Sequence, residues 1–124
     1  MPDVAGQPWD AFLAERPIAV IATVSPNGMP HAVPVEVLVR DGRVYVWCRA
    51  TSRKARNAAR EGRAALTAYR SHHGVLVRGP ARLVAVGESN YAEVTRGFLD
   101  KYEREETYGN DTLIEISPAR VTSF

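Results

Sequence analysis

The chain has 124 residues, 45% of them hydrophobic and 24% charged, which makes one globular domain (1–124) and too little for two independent cores. A single cysteine excludes a disulfide framework and any multi-cysteine zinc site, so no metal centre is expected and a reducing compartment fits. The formal charge is only +2, and Lys54 and Lys101 are the only lysines among 16 basic residues. So small a net charge gives nucleic-acid binding weak support. No basic stretch followed by an apolar run opens the sequence. The longest apolar run, Ile18 to Val24, falls far short of the ~20 residues that span a bilayer. The expectation is a cytoplasmic protein with neither a membrane nor a nucleic acid as partner.

In chain order, Trp9, Phe12 and Leu13 at helical spacing predict a short amphipathic helix that ends before Pro17. Ile18 to Ser25 reads as a buried strand, and Pro26-Asn27-Gly28 as a turn. A long strand follows over Met29 to Arg40, with Val33, Val35, Val37 and Val39 on one face. Asp41-Gly42 closes a tight hairpin onto Arg43 to Arg49, where Val44, Val46 and Cys48 alternate with Tyr45, Trp47 and Arg49. The period then changes. Ser52 to Glu61 reads as a helix with Ser52 as N-cap, Ala55, Ala58 and Ala59 on one side, and Gly62 as its stop. Arg63 to Arg70 and Val75 to Val86 are two further strands around a turn at His72-His73-Gly74. Ser89 to Glu105 is a longer helix with a Tyr91, Val94, Phe98, Tyr102 stripe, and Thr112 to Ser123 a last strand. This order predicts a mainly β fold: a six-stranded antiparallel barrel with flanking helices.

The segment Arg49 to Arg63 carries the chemistry. Acidic residues are preferred in a helix's first turn, yet Arg53, Lys54 and Arg56 open this one, Arg49 precedes it and no acid comes before Glu61. An anion shared by the backbone N–H groups, a hydroxyl and these cations would make the arrangement favourable. This reads as a phosphate site; the alternative is a solvated basic face.

A strand, an Asn-Gly turn, a strand containing PHAVPVEV, a hairpin, VYVWCR, then TSRKARN opening a helix, followed by AALTAY and VRGPARLV, resembles the pyridoxamine 5'-phosphate oxidase-like flavin-binding split-barrel family. The resemblance is strongest to its small actinobacterial branch, which uses flavin or deazaflavin cofactors. It runs from Ile18 to Val86 and continues more loosely to the end. It implies a split β-barrel in a homodimer, with two cofactor sites in the subunit interface and a small-molecule substrate. The helix-opening motif implies a cofactor phosphate on Ser52 and Lys54, with Asn57 completing the motif and Arg49 and Arg53 as further candidates. His31, Val33, Pro34 and Val35 would lie along the cofactor ring, and Trp47 and Cys48 stand where the oxidases carry hydroxyl-bearing residues. The implied activity is an oxidoreductase moving a hydride between bound cofactor and a small organic substrate; the alternative is a non-catalytic flavin- or haem-binding carrier or sensor. No catalytic acid–base pair is legible, which suits a site whose cofactor performs the chemistry.

Two departures bear on the substrate and one on the cofactor. Glu36 stands where the vitamin B6 oxidases carry a lysine, and the chain lacks their C-terminal extension. Pyridoxamine phosphate is therefore not the expected substrate. Arg53, Arg56, Arg60 and Arg63 recur at spacings of 3, 4 and 3, a helical face suited to the carboxylate tail of coenzyme F420. F420 is the expected cofactor on that ground, with FMN the alternative. Among other residues, His72-His73 reads as turn rather than metal ligand, Cys48 as a pocket wall, and Glu103 to Glu106 as a solvated helix end. Trp47, Tyr69 and Phe98 are apolar residues offered for subunit contact.

Overall fold

The computed structural model describes residues 2–104 and 109–124. A small hairpin of β1 (Asp3–Val4) and β2 (Gln7–Pro8), which carries no periodic signal, precedes helix α1 (Trp9–Ala14). Trp9, Phe12 and Leu13 are buried, as their spacing requires. The main sheet contains β3 (Ala19–Val24), β4 (Pro30–Val35), β5 (Leu38–Arg40), β6 (Arg43–Arg49), β7 (Arg63–Arg70), β8 (His73–Val84), β9 (Asp111–Ile116) and β10 (Arg120–Ser123). Helices α2 (Arg53–Glu61) and α3 (Tyr91–Tyr102) flank it. Among the described residues, no helix is long and apolar enough to cross a membrane.

Every pairing is antiparallel, in the order β4-β3-β7-β8-β9-β6-β5, with β10 also on β8. This is the expected split barrel, with two of the six strands broken. Residues 29–40 do not form one strand. β4 pairs with β3 at one edge of the sheet and β5 with β6 at the other, and Glu36-Val37 steps across between them. The four valines nonetheless share the barrel side: Val35 and Val37 are core, and Val33 and Val39 pack on it. Thr112 to Ser123 is also two strands. Both lie along one edge of β8, on either side of a break at Ser117-Pro118-Ala119 where proline cannot donate to the ladder.

The alternation in β6 sorts the two cores. Val44, Val46 and Cys48 point into the barrel, whereas Tyr45 and Trp47 lie beneath α3 with Val94, Phe98 and Leu113. Trp47 and Phe98 are thus spent inside the subunit. Of the three residues offered for subunit contact only Tyr69 is exposed, at 71%. Buried Glu115 fixes the start of α3 by accepting from Tyr45 Oη at 2.8 Å, Arg82 Nε at 3.0 Å and Asn90 Nδ2 at 3.4 Å.

Candidate functional site

The sheet fails to close along one line, and the site lies there. β5 is only three residues long, so its pairing with β6 covers Arg43 to Tyr45 and stops before Val46. The free edge of β4 faces this gap. Between them is a cavity of about 470 Å³ lined by Ile18, Pro34, Val35 and Glu36 on one side, and Trp47, Cys48, Arg49, Ser52 and Lys54 on the other. That volume is in the range of small-molecule and cofactor sites.

The far end is cationic because α2 begins there. Ser52 is the N-cap, its Oγ accepting from Ala55 N–H at 3.4 Å, and no acid occupies the first turn. The N–H groups that open a helix have no helical acceptor, so Arg49, Lys54 and this helix end form one electropositive wall. Nearer the ring of β-strands the walls are apolar. Burial pushes the Cys48 thiol up, against the opposing influence of Ser52 and Lys54. Cys48 is thus a protonated wall residue and not an activated nucleophile.

Of the residues singled out from sequence, Pro34, Val35, Trp47, Cys48, Arg49, Ser52 and Lys54 meet in this cavity. Four others do not line it. Val33 packs on the barrel core and Arg53 is exposed. Asn57 is buried; it donates to Thr23 Oγ1 at 3.1 Å and accepts from Arg60 Nη2 at 3.2 Å, bracing α2 on β3. His31 sits opposite Thr23, with its Nδ1 buried and, among the described residues, without a hydrogen-bond partner.

The arginine face does not form. Gly62 adopts a left-handed conformation (φ +70°) and its N–H closes α2 onto Ala58 O at 2.8 Å, so Arg63 lies on β7 and pairs with Glu61 at 3.5 Å. Arg60 turns back to Val24 O, Asn57 and Glu61. Ala59 is exposed, while Asn57 takes the buried place beside Ala55 and Ala58.

Sequence reasoning missed the wall residue Ile18, and it weighed Glu36 only against a phosphorylated substrate, without placing it in the cofactor wall or finding the device that holds it. Its carboxylate meets Arg104 Nη1 at 2.6 Å, and the Arg104 guanidinium lies 5.0 Å from the centre of the Trp47 ring. Arg104 is therefore part of the cavity's support rather than a solvated helix end. The pair also offsets the charge by which Glu36 would repel a phosphorylated substrate. Glu105 and Glu106 lie outside the described residues.

The step at Glu36-Val37 lacks a strand partner, and α3 supplies one. Val37 N–H donates to Tyr102 Oη at 2.8 Å, Tyr102 Oη donates to Pro17 O at 2.8 Å, and Lys101 Nζ donates to Val37 O at 2.7 Å. Burial and nearby Arg16 lower the Lys101 pKa from 10.5 to about 8, although Glu36 works the other way. The folded chain sheds this proton first, so between pH 8 and 10.5 the unfolded chain binds more protons and this group's contribution to stability rises with pH. Denaturant melts across that window should show a steeper rise for the parent than for Lys101→Met. Equal slopes would mean that the ammonium is fully solvated.

No curated protein matches the chain in sequence. A conserved hypothetical protein from Mycobacterium tuberculosis superposes with a TM-score of 0.78 at 22% identity, covering 93% of this chain and 81% of its own. A structure described as an F420 reductase gives 0.73 at 20% identity, covering 90% and 94%. An FAD-binding protein from Mycobacterium smegmatis gives 0.71 at 20% identity, covering 94% and 92%. At these identities the likeness is one of fold. In sequence, residues 6–124 fit the pyridoxamine 5'-phosphate oxidase family, and the chain belongs to it.

Proposed function

We propose that the seam holds a phosphate-bearing flavin or deazaflavin, and that the protein is an oxidoreductase acting on a small organic molecule. The observation that carries this reading is the two-ended cavity. Ser52, Lys54, Arg49 and the start of α2 form a phosphate end, while Pro34, Val35, Trp47 and Cys48 form a narrow, mostly apolar slot with free strand edges. The donor set fits such a group, since cations and unpaired N–H groups suit its phosphate and strand edges suit the polar rim of a planar ring. When bound, the cofactor supplies the hydride chemistry, and the chain anchors the phosphate, orients the ring and excludes water.

The phosphate end serves FMN and coenzyme F420 alike. For the tail of F420, Arg53 and Arg56 remain exposed on α2, while Arg60, also exposed, is engaged with Val24 O, Asn57 and Glu61, so the case for it is weaker than the sequence spacing implied. A second copy of the chain would cover the mouth. Ile18 and Val20 are 52% and 37% exposed, and exposed Tyr69 lies two residues beyond Thr67, the partner of Val20, giving an apolar rim next to the cavity. That placement supports a homodimer with its cofactor sites at the interface.

Titration of the protein with FMN and with F420, followed by turnover of the reduced complex with quinones and enones, tests the reading. One cofactor should saturate a single site per chain and be reoxidised by an acceptor faster than free cofactor. Binding without faster reoxidation would make the protein a carrier, and failure of both cofactors to bind would remove the reading altogether.

A further inference from the structure

A second concavity, of about 500 Å³, lies on the outer face of the same sheet. It shares no lining residue with the seam: Ile18, just before β3, lines the seam, and Ala22, Thr23 and Val24 on β3 line this hollow four to six residues further on, roughly 13–20 Å away at ~3.3 Å per residue. The strand register builds it. Ala32, Ala22 and Ala65 stand abreast on β4, β3 and β7, and the same row runs on into Arg78 on β8 and Arg120 on β10. Alanines in a row leave a trough, which Val24 and Pro30 wall on one side. Gly79 lines the hollow where the chain between β9 and β10 packs against it, and an added Cβ there would come within 2.0 Å of Ser117 O.

The charge at one end of this trough is uncompensated. Arg78 and Arg120 are directly opposed on neighbouring strands, an arrangement that costs stability for like charges. Neither side chain makes an ion pair or hydrogen bond among the described residues, and no acidic residue lines the hollow. Arg63 joins them at the rim, held only by Glu61 at 3.5 Å. An apolar floor ending in several guanidinium forks selects for one chemistry. The forks take a carboxylate or similar anion in bidentate fashion, and the floor takes an uncharged body of modest size.

We propose that this hollow is a binding site for an amphipathic organic anion, with its apolar body on the alanine trough and its carboxylate between Arg78 and Arg120. The site is independent of the seam and does not depend on which cofactor the seam takes.

Calorimetric titration of the full chain with decanoate and with decanol tests it. Decanoate should bind saturably, at one per chain, with decanol at least tenfold weaker. The double change Arg78→Gln with Arg120→Gln should weaken decanoate at least tenfold while leaving the melting temperature equal or higher, because a like-charge pair is relieved. Ala65→Phe should block decanoate by filling the trough with the arginines intact, and Arg96→Gln on the exposed side of α3 should change nothing. The proposal is overturned if decanoate gives no saturable signal, if decanol binds equally well, if the double variant binds like the parent, or if FMN displaces decanoate. It is also overturned if the double variant converts a dimer to a monomer, since the arginines would then belong to a subunit contact.

Discussion

Phe98→Ala should lower the unfolding free energy by about 3–5 kcal/mol, the usual cost of removing a fully buried phenylalanine. Phe98 has 0% exposure and lies between Trp47, at 5.8 Å between ring centres and 53° between planes, and Tyr102, at 6.1 Å and 18°. Its loss leaves a cavity that neither neighbour can fill without giving up its own place. Trp47 would drop away from the seam wall, and Tyr102 would loosen its hold on Val37. Because small domains have only about 5–15 kcal/mol in total, much of the stability would go. Urea melts of the parent, Phe98→Ala and Phe98→Leu measure it. Leucine keeps most of the volume and should cost less than ~1.5 kcal/mol. A loss below 1 kcal/mol for alanine would show that α3 is not locked onto the sheet through this ring.

What could be read from sequence was whatever local chemistry decides. Asp41 and Gly42 both take positive φ (52° and 73°), the twist a two-residue hairpin needs, and such residues advertise themselves. Ser52 and Gly62 bound α2 by the same kind of local rule, and the alternation in β6 announced two buried faces. The breaks were hidden because they depend on partners far along the chain. Nothing local in Glu36-Val37 says that β4 will pair with one edge and β5 with the other, and the groups that satisfy Val37 are on α3, 64 and 65 residues away. Only Pro118 gave a local warning of the second break.

The candidate site divides in the same way. Its phosphate end lies within one short segment and was legible as misplaced charge at a helix start. Ile18 and Glu36 joined the wall only when the seam brought distant segments together. The Glu36–Arg104 pair likewise joins the strand step to the second residue past α3 and has no signature in spacing. The arginine stripe failed for a local reason. A helical face cannot be continued through a residue that ends the helix, and Gly62 lies between Arg60 and Arg63.

Lys54→Ala should weaken cofactor binding by about ten- to a hundredfold, the equivalent of the 1.5–3 kcal/mol typical of a hydrogen bond to a charged group. Lys54 is the residue of choice because it lines the cavity from the first turn of α2, where its ammonium and the helix end act on one anion. Arg49→Ala should cost less where Lys54 remains, since the helix N–H groups and one cation still meet the phosphate. Ser52→Ala should act mainly on stability, by ~1 kcal/mol or less, because its Oγ caps Ala55 N–H at a long 3.4 Å. Lys54→Arg, which keeps the charge, should recover part of the loss, and the gap between parent and Lys54→Ala should narrow as salt screens the ion pair. Fluorescence titration of the parent and the four variants at two salt concentrations provides the measurement. Unchanged affinity in Lys54→Ala, with the fold intact by circular dichroism, would move the phosphate away from the start of α2. A loss equal for phosphorylated and dephosphorylated cofactor would keep the ligand in the seam but assign Lys54 to its ring.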